Sequence, residues 1–277
     1  MSAFPLSRHQ RKKRILNDFT AQLIAEFKAN SGRVGGPFEN SRLLLLTTTG
    51  ARTGEPRTAI LGYYPDGDRV LVVGSAGGSP KHPSWYHNLL ANPQVSVDTG
   101  LFSYPATAVV LRDAERDEVF ARLVEADAGW GDYQDRATRT IPVVALVPGG
   151  PPGGRGSLAE ALKNIHAAFR RELDLIRHEI ATSGAAGLGA QLRINCLTVC
   201  QGLHYHHTGE STMLFPGLLE QHPELTDVVA VLQKEHDQLA VLLGELEQAV
   251  TLEQVDELIA QLNAHLNREE EALLPYL

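Results

Sequence analysis

The sequence predicts two domains, a mainly antiparallel β-barrel or sandwich with flanking helices followed by an all-α four-helix bundle. The chain of 277 residues is long for a single compact core. Short β-branched runs between turn residues fill its first half, whereas apolar residues recur every three or four positions in the second. Between the halves, residues 148–157 are mostly proline and glycine, which neither pack nor propagate a helix. The expected boundaries are 1–148 for the first domain, 149–157 for the linker and 158–277 for the second domain.

The first half contains six segments with strand character, separated by turn signals or by helical patterns. The predicted strands are residues 42–49, 57–64, 69–74, 94–98, 104–111 and 141–147. Apolar periodicity predicts helices at 15–27 and 114–126, and a third helix is expected to start at Ser84, directly after Pro83.

The second half contains four amphipathic helical segments with short connections, a pattern typical of an antiparallel bundle. On the second of these helices, continuing the apolar stripe beyond Leu203 in steps of three and four places Met213 on the inner face. Pro216 is expected to end this helix, because proline inside a helix removes a backbone hydrogen bond.

Charge and histidine are divided unequally between the halves. Residues 1–150 hold 17 Lys+Arg and 15 Asp+Glu, a net charge of +2, and the remainder holds 8 and 18, a net charge of −10, which together give −8. Eight of the eleven histidines also lie in the second half. An acidic, histidine-rich half indicates divalent metal rather than nucleic acid, whose binding surfaces carry clustered lysine and arginine.

The remaining composition indicates a cytoplasmic protein. No apolar run approaches the roughly 20 residues that span a bilayer, and no export signal follows the N-terminal basic cluster. Cys196 and Cys200 are one helical turn apart, a poor arrangement for a disulfide, and are interpreted as core residues. The basic amphipathic helix that begins near residue 11 could pack against the first domain or lie on an anionic membrane.

Polar residues interrupt the apolar stripes of all four bundle helices. The inward histidines are His166, His206, His236 and His265. Glu210 and Glu269 each follow a histidine by four residues, so both side chains of each pair share one helix face. A buried carboxylate is costly without a compensating charge, and a pair of metal ions would supply that charge. The alternative interpretation is a set of solvated surface histidines.

The order His, His-x-x-x-Glu, His, His-x-x-x-Glu resembles the hemerythrin-like (HHE) family over residues 158–277. The resemblance implies a non-haem di-iron centre, with the ligands His166, His206, Glu210, His236, His265 and Glu269. Oxygen-carrying hemerythrins have a further histidine one turn after the third-helix ligand, where this chain has Ala240. One iron therefore lacks a ligand unless water, Glu235 or His207 replaces it, and such an open position favours oxygen or peroxide chemistry over dioxygen storage. His204, His207 and Glu270 are interpreted as groups outside the ligand shell.

Two segments of the first half suit an anionic ligand. Residues 47–58 place Arg52 and Arg57 at a glycine turn between two strands, and guanidinium groups beside backbone amides hold phosphate or carboxylate well. Residues 72–93 leave a strand through small residues, present Lys81 and His82, and then start a helix whose N-terminus favours an anion.

These two segments, with residues 32–38 and 132–146, resemble the deazaflavin-dependent nitroreductase family over residues 14–148. The resemblance implies a split β-barrel that binds the 8-hydroxy-5-deazaflavin coenzyme F-420 and uses its hydride to reduce a substrate. It places Arg52, Arg57, Thr58 and Lys81 on the anionic tail of the coenzyme. It assigns the pocket wall to Ser75, Ala76, Gly77, His82, Pro83, Trp85 and Asn88, and it places Tyr133 beside the substrate.

The resulting hypothesis is a bifunctional redox protein. Its barrel transfers hydride from the deazaflavin to a small quinone- or nitro-type acceptor, and its bundle holds two iron ions that react with dioxygen or peroxide. The alternative is a sensor or binding protein for oxygen, iron or nitric oxide, in which the barrel is regulatory or holds flavin mononucleotide. The resemblance also suggests a homodimer formed through a face of the sheet.

Overall fold

A computed structural model describes residues 8–149, 157–183, 189–248 and 251–277, without the side chains of 8–17 and 247–248. Most of the predicted linker therefore lies outside the described residues. The helices are α1 (Arg8–Ala29), α2 (Ser84–Ala91), α3 (Asp113–Ala126), α4 (Gly129–Arg136), α5 (Leu158–Ser183), α6 (Ala190–Gly209), α7 (Phe215–Gln221), α8 (Thr226–Gln248) and α9 (Leu252–Leu273). A π-helical turn, Glu210–Leu214, joins α6 to α7.

Six strands close into an antiparallel barrel in the order β1-β2-β3-β6-β5-β4. They are β1 (Leu43–Thr49), β2 (Pro56–Asp66), β3 (Arg69–Val73), β4 (Gln94–Asp98), β5 (Ser103–Val110) and β6 (Val143–Pro148). Each strand falls on one of the six predicted segments, so the prediction of an antiparallel β-domain is confirmed. A barrel forms rather than a sandwich because β1 also pairs with β4, which closes the sheet.

The strands bury apolar side chains on both faces because helices cover parts of the outer surface. Leu44 and Leu46 of β1 point into the barrel, where Trp85 of α2 packs with them. The alternating residues Leu43 and Leu45 pack instead with Phe27 of α1. This contact supports the interpretation in which α1 packs against the barrel. Among the described residues, no helix combines the length and apolar character needed to cross a membrane.

Helices α5, α6 with α7, α8 and α9 form the predicted four-helix bundle around a continuous apolar core. Cys196 and Cys200 are buried in this core and form no disulfide, as their spacing indicated. Helix α9 begins with a capping box, in which the Thr251 hydroxyl accepts from the Gln254 N–H and the Gln254 side chain accepts from the Thr251 N–H.

The apolar stripe of the second bundle helix differs from the prediction after Glu210. Met213 is 74% exposed, whereas Phe215 is fully buried. The π-helical turn explains this difference, because one extra residue in a turn rotates every later side chain about the helix axis. The prediction that Pro216 ends the helix is also wrong. This proline lies in the first turn of α7, where its missing N–H breaks no helical hydrogen bond.

Charged side chains connect the barrel to the bundle. Arg42, directly before β1, is buried, and its Nε donates to Glu172 Oε2 of α5 at 2.7 Å. A second guanidinium nitrogen of Arg42 pairs with Glu179 on the same helix. The Tyr63 hydroxyl of β2 donates to the other oxygen of Glu172 at 3.2 Å.

Side chains of the bundle also donate hydrogen bonds to backbone carbonyl groups of the barrel domain. Arg171 of α5 is buried and donates to the carbonyl oxygen of Gly32 at 3.0 Å. The Gln191 side chain of α6 donates to the carbonyl oxygen of Pro65 at 2.8 Å. Helices α5 and α6 are therefore held against the barrel by polar contacts that need defined geometry.

Replacement of Arg42 with methionine is expected to destabilise the full chain by about 3 kcal/mol, because two carboxylates at the domain interface lose their cation. The side chains of Glu172 and Glu179 are 20% and 34% exposed, which places the effect at the low end of the range for buried pairs. The midpoint of urea unfolding measures this change. Arg177→Met is the matched control, since Arg177 pairs with Asp256 at the bundle surface and its loss should leave the midpoint nearly unchanged. Equal, small shifts in both variants would show that the ion pairs of Arg42 add no stability.

Candidate functional site

The six metal ligands implied by the sequence lie together in the centre of the bundle. His166 comes from α5, His206 from α6, His236 from α8, and His265 from α9. Glu210 opens the π-helical turn, and Glu269 lies one turn after His265. All six side chains are at least nine-tenths buried, although they are polar or charged.

The two glutamates lie between the histidines of different helices. Glu210 Oε1 is 3.2 Å from His206 Nε2, and its Oε2 is 3.6 Å from His236 Nε2. Glu269 Oε2 is 3.4 Å from His166 Nε2 and 3.6 Å from His265 Nε2. Each carboxylate therefore lies near histidines of two helices, so each could contact two metal ions held by those histidines.

Hydrogen bonds on the outer side of the rings determine which nitrogen faces the centre. His166 Nδ1 lies 2.8 Å from Glu270 Oε1, and His265 Nδ1 lies 3.0 Å from Glu235 Oε2. A carboxylate only accepts, so Nδ1 carries the proton and Nε2 presents a lone pair to the interior. His236 Nδ1 is held at 3.0 Å by the Ser211 hydroxyl. Glu270 and Glu235 thus contact Nδ1 of His166 and His265, whose Nε2 atoms lie near Glu269.

The centre of the cluster brings carboxylate oxygens and ring nitrogens together with one hydrogen-bond contact in the described part of the chain, between Nε2 of His236 and Nε2 of His265 at 3.1 Å, and such a set of acceptors fits a bound cation. No oxygen of Glu210 or Glu269 has a hydrogen-bond partner among the described residues, and Nε2 of His166 and His206 has none either. Burial and the adjacent Glu269 carboxylate raise the pKa of Glu210. Burial lowers the pKa of His206 to about 3 and that of His236 to about 4, which keeps these rings neutral, as metal binding requires. Imidazole and carboxylate together are a donor set suited to iron.

Three further residues, Ala240, His204 and His207, differ in whether they are exposed or buried inside the bundle. Ala240 is exposed on α8, so the position where oxygen carriers have a histidine does not face the cluster here. His204 is exposed as well. His207 is 6% exposed and lies inside the bundle, which places it closer to the metal ligands than the sequence interpretation assumed.

In the barrel domain, a cavity of about 940 Å³ is lined by the loop after β1, the start of β2 and helix α2. Five residues of the coenzyme site implied by the sequence line it, namely Arg52, Arg57, Thr58, Trp85 and Asn88. Ser84 and His87 line it too and were not expected from the sequence. Both arginines are exposed, and neither forms a salt bridge among the described residues, so their guanidinium groups are available to an anion.

Asn88 determines the shape of the loop that carries Arg52. Its side-chain oxygen accepts from the Ala51 N–H at 3.0 Å, and its amide nitrogen donates to the Thr48 hydroxyl at 3.0 Å. Because Asn88 is buried, these bonds fix the loop to α2. At the start of β2, the hydroxyl groups of Thr47 and Thr58 are 2.9 Å apart.

The second segment implied by the sequence forms a tight loop between β3 and α2. Ala76, Gly77 and Gly78 have φ angles of 49°, 65° and 76°, a left-handed run that is costly for alanine. A Cβ at Gly78 would lie 3.4 Å from the carbonyl oxygen of Tyr133, so α4 packs directly on this loop. Tyr133 is half-buried beside Trp130, with their ring centroids 5.8 Å apart.

The remaining implied residues belong to this loop and do not line the 940 Å³ cavity. They are Ser75, Ala76, Gly77, Lys81, His82 and Pro83. The loop reaches the cavity through Ser84, which directly follows Pro83. His82 is half-buried, and its Nδ1 has no hydrogen-bond partner in the described part of the chain. Burial, with the nearby Arg139, lowers the pKa of His82.

Arg139 holds this loop and was not identified from the sequence. Its guanidinium group donates to four carbonyl oxygens of the loop, at distances from 2.9 to 3.2 Å. The acceptors belong to Gly74, Ser75, Ser79 and Lys81. The planar guanidinium group has five donors spread over three nitrogens and can reach several separated carbonyls at once, whereas the three donors of a lysine ammonium group share one nitrogen. No sequence signal marked this role, because the acceptors are backbone atoms about 60 residues away.

The structure joins a closed six-stranded antiparallel barrel to a helical bundle whose centre gathers histidine and glutamate side chains. Residues 21–148 match the family model described as F420H2-dependent quinone reductase, and residues 157–277 match the hemerythrin HHE cation-binding domain. An F420H2-dependent quinone reductase of Mycobacterium tuberculosis is 42% identical over 128 residues, which cover 44% of this chain and 85% of that protein. The chain belongs to the F420H2-dependent quinone reductase family and carries a hemerythrin-like domain after the reductase domain.

Two solved structures are similar to the barrel domain. One is an F420-H2 dependent reductase with 40% identity, which covers 38% of this chain and 93% of that one with a TM-score of 0.35. The other, titled a domain-swapped dimer, is 35% identical and covers 49% of this chain and 98% of that one with a TM-score of 0.37. Both resemblances proposed from the sequence, to deazaflavin-dependent reductases and to hemerythrin-like proteins, are confirmed.

Proposed function

We propose that the barrel, residues 1–148, binds coenzyme F-420 and directs its hydride to a small quinone- or nitro-type acceptor. In the same proposal, the bundle, residues 158–277, binds two iron ions that react with dioxygen or peroxide. The observation that carries the reductase proposal is the cavity with two unpaired arginines beside a loop fixed by Asn88. The observation that carries the metal proposal is the pair of buried glutamates without hydrogen-bond donors.

In the reductase domain, the coenzyme supplies the hydride and the protein supplies binding and orientation. Arg52 and Arg57 hold the anionic tail at the exposed end of the cavity, and Trp85 and Asn88 form its inner wall. The loop at 74–81 is held by Arg139 and packs against the backbone of Tyr133, the residue that we assign to the substrate side of the site.

Turnover tests this proposal against the sensor alternative. Full-length protein mixed with reduced deazaflavin should oxidise it faster when a quinone or a nitro compound is added, as followed by the return of deazaflavin absorbance. Unchanged oxidation rates with every acceptor would support the sensor interpretation. Tight binding of flavin mononucleotide, with none of the deazaflavin, would contradict the coenzyme assignment.

Replacement of Arg57 with alanine should weaken coenzyme binding by about 1.5 to 3 kcal/mol, the range for a hydrogen bond to a charged group. Fluorescence titration of the deazaflavin measures the dissociation constant. Arg33→Ala is the control, because Arg33 is exposed and lies outside the cavity. Equal affinity in both variants and the wild type would remove Arg57 from the site.

In the bundle, two iron ions would supply one-electron redox chemistry toward dioxygen or peroxide. The protein holds the ligands neutral or anionic, fixes the rings through Glu235, Glu270 and Ser211, and excludes bulk water. Deazaflavin transfers electrons in pairs as hydride, whereas iron changes by single electrons, so the proposal involves no electron transfer between the two sites.

A further inference from the structure

His207 has the properties of the implied metal ligands although no ligand motif includes it. The side chain is 6% exposed, and its Nε2 is buried without a hydrogen-bond partner among the described residues. Nε2 of His166 and of His206 share this condition. An unpaired imidazole in a bundle core is costly, unless a cation meets its lone pair.

The position of His207 groups it with one side of the metal cluster. Its ring stacks on His236 with centroids 4.3 Å apart, and its centroid lies 5.2 Å from that of His265. Ligand atoms of these three histidines all lie within 4.8 Å of one another. A second such group consists of His166, His206, Glu210 and Glu269. The cluster therefore divides into two adjacent sets of donors.

Helix geometry explains why neighbouring histidines contribute to different sets. Adjacent residues of an α-helix point about 100° apart, so His206 and His207 cannot both point at one ion lying on a single side of α6. They can straddle two adjacent ions if the helix faces the midpoint between them. The Glu210 N–H, at the start of the π-helical turn, bonds to the carbonyl oxygens of both His206 and His207. Glu210 lies one turn after His206, and its two oxygens lie near His206 and His236, which belong to different donor sets.

We propose that His207 is a ligand of the second metal ion, which it binds together with His236 and His265. This inference rests on the proposed two-metal function and completes it. His166 and His206 would bind the first ion, and Glu210 and Glu269, which each lie near one histidine of either group, would contact both ions. The second helix supplies the fifth histidine, in place of the third-helix position occupied by the exposed Ala240.

Metal binding by full-length variants tests this assignment. Chelator-treated protein is titrated anaerobically with ferrous iron, and bound iron per chain is measured together with the thermal midpoint. Wild type should bind two ions. His207→Ala, and the bulkier His207→Gln, should keep one ion at wild-type affinity and bind the second at least tenfold more weakly. His204→Ala is the matched control and should bind both ions normally, because this histidine is exposed on the same helix.

The outcomes separate the two claims. Wild type with fewer than two ions would contradict the proposed two-iron function itself. Wild type with two ions, and His207 variants that also bind two at unchanged affinity, would overturn the assignment of His207 alone. Equal weakening of both ions, with helix content unchanged by circular dichroism, would also overturn it, because His207 is assigned to one ion only. Comparison of the alanine and glutamine variants distinguishes ligand loss from a packing defect, since the glutamine side chain still fills the space.

Discussion

Glu269→Gln is expected to remove the iron-dependent stabilisation of the protein. Glu269 is fully buried, and one of its oxygens lies within 3.6 Å of histidines from two helices. Glutamine keeps the shape but removes the negative charge that offsets two dications. At iron concentrations 100 times the dissociation constant, bound metal stabilises the wild type by about 2.7 kcal/mol, and the variant should lose most of this.

The same substitution should have the opposite effect in the absence of metal. A buried carboxylate without donors or a cation is unfavourable, so the metal-free variant should be at least as stable as the metal-free wild type. Thermal midpoints with and without ferrous iron measure both states. Glu271→Gln is the control, because Glu271 is exposed on the same helix and should respond to iron as the wild type does. A Glu269 variant that gains as much stability from iron as the wild type would contradict a bridging role.

Arg139→Ala is expected to weaken coenzyme binding more than tenfold and to destabilise the protein by about 3 kcal/mol. Four loop carbonyl groups lose a charged donor, and hydrogen bonds to charged groups contribute about 1.5 to 3 kcal/mol each before other donors or water compensate. The loop they hold carries Ala76 in a left-handed conformation, which the surrounding contacts must maintain.

Arg139→Lys should recover only part of the loss, because an ammonium group lacks the planar fork that reaches several carbonyls. Deazaflavin titration and urea unfolding measure affinity and stability separately. Thr140→Ala is the control, since this neighbouring side chain is exposed. If Arg139→Ala lowers stability but leaves coenzyme affinity unchanged, the loop does not contribute to the coenzyme site.

The regular elements were predictable because their periodicity is visible within short segments. All six strands and the four-helix bundle follow from the spacing of apolar residues, and the His-x-x-x-Glu pairs follow from their positions on those helices. Helix α4 was not predicted as a helix, since GWGDYQDR combines two glycines with few apolar residues. Its position comes from tertiary contacts, through Trp130 and Tyr133, which local propensity does not encode.

The missed features depend on geometry that no spacing rule contains. The π-helical turn after Glu210 shifts the helix register, and it accounts for the exposed Met213 and the buried Phe215. His206 and His207 both face the centre of the bundle, whereas a uniform stripe assigns His207 to the outside. Arg139 and Arg171 act on backbone carbonyls distant in sequence, so their roles become visible only in three dimensions.

Native mass spectrometry of the full chain tests most directly whether one polypeptide holds both groups. The protein is loaded anaerobically with ferrous iron, mixed with oxidised deazaflavin at saturating concentration and transferred intact to the gas phase. We expect a dominant species that exceeds the polypeptide mass by two iron atoms and one coenzyme for each chain. A dominant species with one iron or none, or with two iron atoms and no coenzyme, would contradict a chain that combines a deazaflavin site with a two-iron centre.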